Sequence, residues 1–295
     1  LTISGKGAMK DYKAYNNQPY YSVKDDITKV IIKDGVTNIG DYAFKHLLYL
    51  TSISIPESVT SIGNNAFDSC KRLPSITMPD SITTIEDSAF WGCFSLNSVK
   101  LSNNLTKISY AAFFLCGSLS SITIPDSVTS IDEVAFCRCN NLTSITLPKS
   151  VKSFESESFS EKLQILVIEN PECEIVDSKR SIPENTTVYG YENSTAHKYA
   201  RKYKRNFVIY DGKPITTTLT TTTKSTTTTT TTAKTTTTKK PTTTKTTIKT
   251  TTTKKPTTTT TIKTTTTKKP TTTTTIKTTT TKKPTTTSKP VTTTT

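Results

Sequence analysis

Histidine is almost missing. His46 and His197 are the only two in 295 residues, and there is a single Trp, two Met and nine Gly. Neither His stands by a serine elbow, and the glycines form no phosphate-cradling loop. His46 shares its repeat slot with Ser69, Gly92, Leu115 and Arg138, so it reads as a solvated surface residue; His197, beside Ala196, reads as exposed. Acidic residues are scattered at turns and caps. The adjacent pair Asp132-Glu133 reads as a capped, solvated helix start rather than two carboxylates poised across a cleft. Cys137-Arg-Cys139 lacks the two-residue gap and the His partners of a zinc site. The expectation is therefore a protein that is not an enzyme, with no cofactor and no metal.

Long apolar runs are missing too. Ile165–Ile168 is among the longest, far short of the roughly 18–20 residues a membrane helix needs, so no membrane insertion is expected in this chain. Leu1 is not an initiator Met and no charged-then-apolar leader precedes it, which reads as a processed product or a fragment.

Acids, aromatics and Cys are all absent from residues 216–295, where 52 of 80 residues are Thr, 15 are Lys and 5 are Pro. Those 15 lysines equal the whole formal charge of +15, so residues 1–215 carry equal numbers of acids and bases. A nucleic-acid reader needs its positive charge on a folded surface, and that class is excluded. The tail, with Lys-Lys-Pro heading blocks at 239, 254, 268 and 282, cannot bury a core and reads as a disordered linker. It would reach roughly 250 Å fully extended, or on the order of 50 Å as a coil. Its Thr hydroxyls invite O-glycosylation, and it would join the folded part to a further anchor or docking module.

What the first 215 residues do contain is periodic. Ala43-Phe44, Ala66-Phe67, Ala89-Phe90, Ala112-Phe113 and Ala135-Phe136 recur every 23 residues, and Ser158-Phe159 continues the series. Leu50, Leu73, Leu96, Leu119 and Leu142 keep the same interval, as do Ile39, Ile62, Ile85, Ile108 and Ile131, followed by Phe154. Cys70, Cys93, Cys116 and Cys139 form a further register, with Leu47 before them.

Within a unit, alternation such as Ser52-Ile53-Ser54-Ile55 before Pro56 predicts a short strand with one face inward. Asn64/Asn65, Asp87 and Asp132 precede the Ala-Phe pair as N-caps of a one- or two-turn helix. One such unit cannot offset the entropy of ordering its own backbone, so successive units must stack. The fold class expected is an α+β repeat solenoid of about six 23-residue turns, each a short strand plus a short helix. It carries N- and C-terminal caps and is followed by the disordered tail.

The unit from Leu119 through Ile131, with Ala135-Phe136 and Cys139 after it, resembles the BspA-like leucine-rich repeat of bacterial surface proteins. The segment Leu1–Met9 is similar to the opening such domains often carry, and 182–210 to their closing strand–helix–strand unit. There, Ser194 or Thr195 caps a helix with Ala196, Tyr199, Ala200 and Tyr203 on one face. Residues 1–26 are thus expected to be an N-terminal cap, 27–170 the repeats, 171–215 the C-terminal cap and 216–295 the linker. The resemblance implies an extracellular or cell-surface module of adhesion or protein binding, akin to surface and cellulosome-associated proteins of gut anaerobes. Carbohydrate binding and a purely structural spacer remain as alternatives.

The four in-register cysteines exchange with Leu47 and so read as buried apolar thiols, with disulfides between adjacent rungs as the alternative. Four Asn-x-Ser/Thr sequons, at Asn104, Asn141, Asn185 and Asn193, match what chance gives in so Ser/Thr-rich a chain. The candidate binding site is where repeats differ. After Ala-Phe come Lys45, Asp68, Trp91, Phe114 and Cys137 in turn. Stacking makes Trp91 and Phe114 neighbours, joined by Leu115 and Phe94, as a patch for a protein ligand; the alternative is that these side chains simply pack on one another. The polar strand face (Ser52, Ser54, Ser75, Thr77, Ser98, Lys100, Ser121, Thr123, Ser144 and Thr146) is the second candidate surface.

Overall fold

The computed structural model of the chain describes residues 1–14 and 16–213. The expected linker, from residue 216 on, lies outside the described residues. The described residues form a repeat solenoid of about eight turns, built mostly from short strands.

Two parallel ladders run along it. The first is made by Thr2–Ile3, Lys29–Ile32, Ser52–Ser54, Ser75–Thr77, Ser98–Lys100, Ser144–Leu147, Ile165–Ile168, Thr187–Gly190 and Asn206–Ile209. Its pairing is 23 residues apart in the repeats, as in Lys29↔Ser52 and Ser75↔Ser98. Alternation works as the pattern requires: Ile76 is buried between exposed Ser75 and Thr77. The ladder is interrupted twice: Ser52–Ser54 and Ser75–Thr77 belong to separate sheets, and residues Ser121–Ile124 share the pattern but form no strand. The second ladder runs in two sheets, one of Gly7–Ala8, Val36–Ile39, Ser61–Ile62 and Thr84–Ile85, the other of Lys107–Ile108, Ser130–Ile131, Ser153–Phe154 and Glu174–Ile175. Between turns, Thr hydroxyls add a rung of their own, as Thr60 Oγ1 donates to Thr37 O and Thr83 Oγ1 to Thr60 O.

The short helix expected in every turn does not form. The Ala-Phe stretches are turns bracketed by left-handed residues: Tyr42 and His46 in one repeat, Asn65 and Ser69 in the next, then Ser88 and Gly92, Ala111 and Leu115, Val134 and Arg138. An α-helix needs consecutive residues with negative φ, and these breaks leave only three between them. Backbone N–H groups alternate in direction instead. Those of Ala43, Lys45 and Leu47 close local three-residue turns onto Gly40, Tyr42 and Phe44, while those of Tyr42, Phe44 and His46 reach across to Asn64, Ala66 and Asp68 of the next repeat. The same alternation recurs at Asn65–Ser69 and Ser88–Gly92. Asn64, Asn65, Asp87 and Asp132 consequently cap no helix. Asp41 Oδ1 accepts from the backbone N–H of Asn64 at 2.6 Å, and Asp132 pairs with Lys107 at 2.6 Å, so Asp132-Glu133 begins no helix either.

Among the described residues, regular helix is confined to two places. A 3-10 turn spans Tyr21–Asp26, and an α-helix spans Thr195–Tyr203 between the strands Thr187–Gly190 and Asn206–Ile209. Ser194 caps that helix, accepting from the His197 N–H, and Ala196, Tyr199 and Ala200 are buried on its inner face. Tyr199 Oη donates to Ser178 O at 2.7 Å and accepts from Ile182 N at 3.1 Å, tying the helix to the loop before it.

The core is a set of columns. Tyr20, Phe44, Phe67, Phe90, Phe113, Phe136 and Phe159 stack at centroid spacings of 6.4, 5.3, 5.1, 5.3, 5.6 and 6.5 Å, the inner rings within a few degrees of parallel. The Ile and Leu registers are fully buried beside them. Cys70, Cys93, Cys116 and Cys139 are buried and unbridged, and each thiol donates to the carbonyl of Phe44, Phe67, Phe90 or Phe113 in the preceding repeat at 3.1–3.3 Å. Burial pushes their pKa values up, that of Cys139 to about 12.

Candidate interaction flank

Trp91 and Phe114 occupy the same slot of successive turns because Ser69 N donates to Trp91 O and Gly92 N donates to Phe114 O, fixing the register across three repeats. Their rings meet at 4.3 Å between centroids with a 36° tilt. Both are partly buried, as is Leu115, which sits in the left-handed conformation and donates its N–H to Cys137 O. Phe94 stands apart from this pair. It is 45% exposed, one of the largest apolar exposures of the unit, and its ring lies 5.9 Å from Lys71 Nζ. Trp91 and Phe114 are thus in ring contact, and Phe94 lies three residues on, facing a cation one turn earlier.

The same column reads differently one and two turns back. Lys45 Nζ pairs with Asp68 Oδ2 at 2.7 Å, and Asp68 is only 7% exposed. Ser69 Oγ donates to its other oxygen at 2.8 Å. The charged pair is therefore internally satisfied and built into the flank. His46, next to it, is half-buried rather than solvated, and its backbone is left-handed. Burial holds its pKa below the ordinary value, with Asp68 pulling the other way. His197 also departs from the exposed placement. Its ring stacks on Phe207 at 4.5 Å and 8°, and Nδ1 accepts from Asn193 N.

The strand-face positions are exposed as the alternation requires, among them Ser52, Ser54, Thr77, Lys100, Thr123 and Thr146. A further surface escaped the sequence reading. Where the sixth Ala-Phe equivalent, Ser158-Phe159, gives way to the closing unit, Ser153 pairs with Glu174 and Phe154 with Ile175, so the 23-residue register lapses to 21. A cleft of 650 Å³ opens there, with Cys137, Phe159, Lys162 and Glu184 in its lining and the Arg180–Glu157 pair across it at 2.7 Å. The only sequence signal was the irregularity of that repeat, which marks a break without saying what fills it. Among the described residues no three His, Cys, Asp or Glu side chains gather as metal ligands, and no helix is long and apolar enough to cross a membrane.

A family model described as BspA type leucine rich repeat region matches six copies, over residues 15–136 and 106–185. The chain belongs to the BspA-type leucine-rich repeat family. Solved structures of similar fold include the T. pallidum leucine rich repeat protein, 20% identical with a TM-score of 0.41 over 69% of this chain and 91% of that one. A leucine-rich repeat protein from Bacteroides ovatus is 21% identical with a TM-score of 0.39, over 64% of this chain and 63% of that one. A leucine rich cell surface protein from Faecalibacterium prausnitzii is 22% identical with a TM-score of 0.33, over 50% and 61%. The chain thus spans less than two thirds of the length of the last two. No curated protein matches it. Within the BspA-type repeat, Ala-Phe and the Leu, Ile and Cys registers build the core, and the residues that follow Ala-Phe on the flank vary from turn to turn.

Proposed function

We propose that this chain is a non-enzymatic protein-binding or adhesion module of the cell surface or extracellular space. The repeats between the two cap segments (residues 1–26 and 171–215) form a rigid display, and the Thr/Lys/Pro-rich residues 216–295 serve as its stalk. The observation that carries the reading is the flank at Trp91, Phe94, Phe114 and Leu115. Exposed apolar clusters on an otherwise polar surface mark interaction sites, and Trp is strongly enriched among interface hot spots. The cell-surface description of the Faecalibacterium protein agrees with that location.

The test is capture by residues 1–215, with and without Trp91→Ala, on arrays of host extracellular proteins, microbial surface proteins and glycans. Trp91 shares one ring contact with Phe114, of the kind that contributes about 0.5–1.5 kcal/mol, and it fills no core column. The variant should therefore keep its fold by circular dichroism and lose saturable protein capture. Unfolding of the variant would make the patch a core element and remove the site. Capture of glycans alone would replace the reading with a carbohydrate-binding module, and silence on every array would leave a structural spacer.

A further inference from the structure

We infer that the flank's partner is an acidic protein segment with an apolar anchor, whose carboxylates lie over Lys71 and Arg72 and whose anchor rests on the Trp91, Phe94 and Phe114 rings. The inference rests on the binding flank proposed above and adds the chemistry of what fills it.

The register supplies the arrangement. Positions 48 and 49 of one turn become 71 and 72 of the next and 94 and 95 of the one after, so Leu48-Tyr49, Lys71-Arg72 and Phe94-Ser95 are neighbours across three rungs. Backbone bonding holds them there, since Ser95 N donates to Lys71 O. The Arg72 guanidinium lies 4.8 Å from the ring of Tyr49, itself 39% exposed, and Lys71 Nζ lies over Phe94. Both cations are exposed. Among the described residues neither is within ion-pair distance of a carboxylate, whereas Lys45, one column away, is closed onto Asp68. The Asp68 carboxylate of the same turn is thus already paired, and buried; the acids of the column itself, Asp25 and Asp26, lie two turns before Lys71-Arg72.

A cation over a ring face is held in place and keeps its charge, because the ring attracts it without neutralising it. Lys71 and Arg72 are therefore two oriented positive charges at one end of an apolar cluster. Electrostatic complementarity at such a rim selects the partner and steers its approach, while the exposed Phe94 ring and the partly buried Trp91–Phe114 pair offer apolar surface that an anchor side chain would cover on binding. Rungs lie about 4.8 Å apart, so the path from Tyr49 to Phe114 crosses roughly 15 Å, which an extended segment of about five residues spans. A neutral glycan would stack on the rings and gain nothing from the cations.

The test uses the full chain against a displayed library of random linear peptides, with sialylated and sulfated glycans in parallel. The wild-type chain should enrich peptides holding two or more Asp or Glu within about five residues of a Phe, Trp or Leu. Binding of an enriched peptide should weaken about tenfold in Lys71→Glu/Arg72→Glu and fall as salt rises. These two residues lie on the surface, so the doubly substituted chain should melt with the wild type. Enrichment without acidic residues, or affinity indifferent to the double substitution, would overturn the inference. If Trp91→Ala still abolished that binding, the binding flank itself would stand. Capture of acidic glycans with no peptide would overturn the inference in favour of a saccharide ligand, and no enrichment of either kind would overturn both readings.

Discussion

Each phenylalanine of the stack from Phe44 to Phe136 is in contact with the ring before it and the ring after it, so its side chain serves three turns at once. Phe90 is fully buried between Phe67 and Phe113, at 5.1 and 5.3 Å. Phe90→Ala empties a slot whose neighbours are fixed by inter-turn backbone bonds and are poorly placed to close in. Equilibrium denaturation should record a loss of about 3–5 kcal/mol; a loss below about 1 kcal/mol would mean that the rungs can collapse independently. The adjacent residue, Trp91, differs in kind. It carries no column, and for that reason the chain can vary it from Lys to Asp to Trp to Phe to Cys without touching the fold.

At the level of elements, strands and turns differ in what decides them. The strand segments were legible because alternation of Ser or Thr with Ile is a side-chain pattern, and inward Ile53, Ile76 and Val99 followed it. The Phe, Ile, Leu and Cys registers were legible because a fixed interval survives any local conformation. The Ala-Phe turn was not. Its sequence carries plausible caps and an apolar pair, and only the backbone shows left-handed residues such as Tyr42, Asn65 and Val134 on one side of it and His46, Ser69 and Arg138 on the other. Of the bracketing residues only Gly92 and Asn65 are types that favour this region, so residue type did not announce the turn in every repeat, and the strain of about 1–2 kcal/mol per left-handed residue is offset by the hydrogen bonds each turn makes to the next. The break at Ser121–Ile124 is equally silent, since its residues match those of the strands around it. The helix Thr195–Tyr203 was readable from its cap and spacing. Ser194→Ala removes the acceptor for the His197 N–H and should cost about 1 kcal/mol in thermal or urea denaturation; an unchanged midpoint would show that the flanking strands alone fix the helix. Of the flank, the neighbourhood of Trp91 and Phe114 followed from the interval. The Lys45–Asp68 pair and the placing of Lys71 over Phe94 did not, because they depend on side-chain reach across rungs.

For the molecule as a whole, the thiol column ties stability to alkaline pH. Cys70, Cys93, Cys116, Cys139 and Cys173 are buried, and burial raises each above the ordinary value of 9.0. An unfolded chain would release these protons near pH 9 while the native chain retains them. The folded pKa values being the higher ones, the stabilisation is complete below pH 9 and is lost as pH rises toward them, by about 1.4 kcal/mol per pH unit per thiol. Urea denaturation at a series of pH values above about 9 should show this decline, and Cys116→Ala should make it shallower by one proton's share. Parallel slopes for the two chains would show that Cys116 ionises equally in both states.

The uniform 23-residue interval has a consequence for how such a chain changes over generations. Excision of residues 91–113 would join Phe90 to Phe114 and leave every core column in step, since one whole unit is lost. The outer column would not survive unaltered: Phe114 would inherit the place of Trp91, directly after Asp68, and the paired rings would be gone. Gain or loss of a unit by unequal recombination is thus nearly neutral for folding and decisive for the face presented. New specificities can arise from reordering existing turns, without a single residue being replaced.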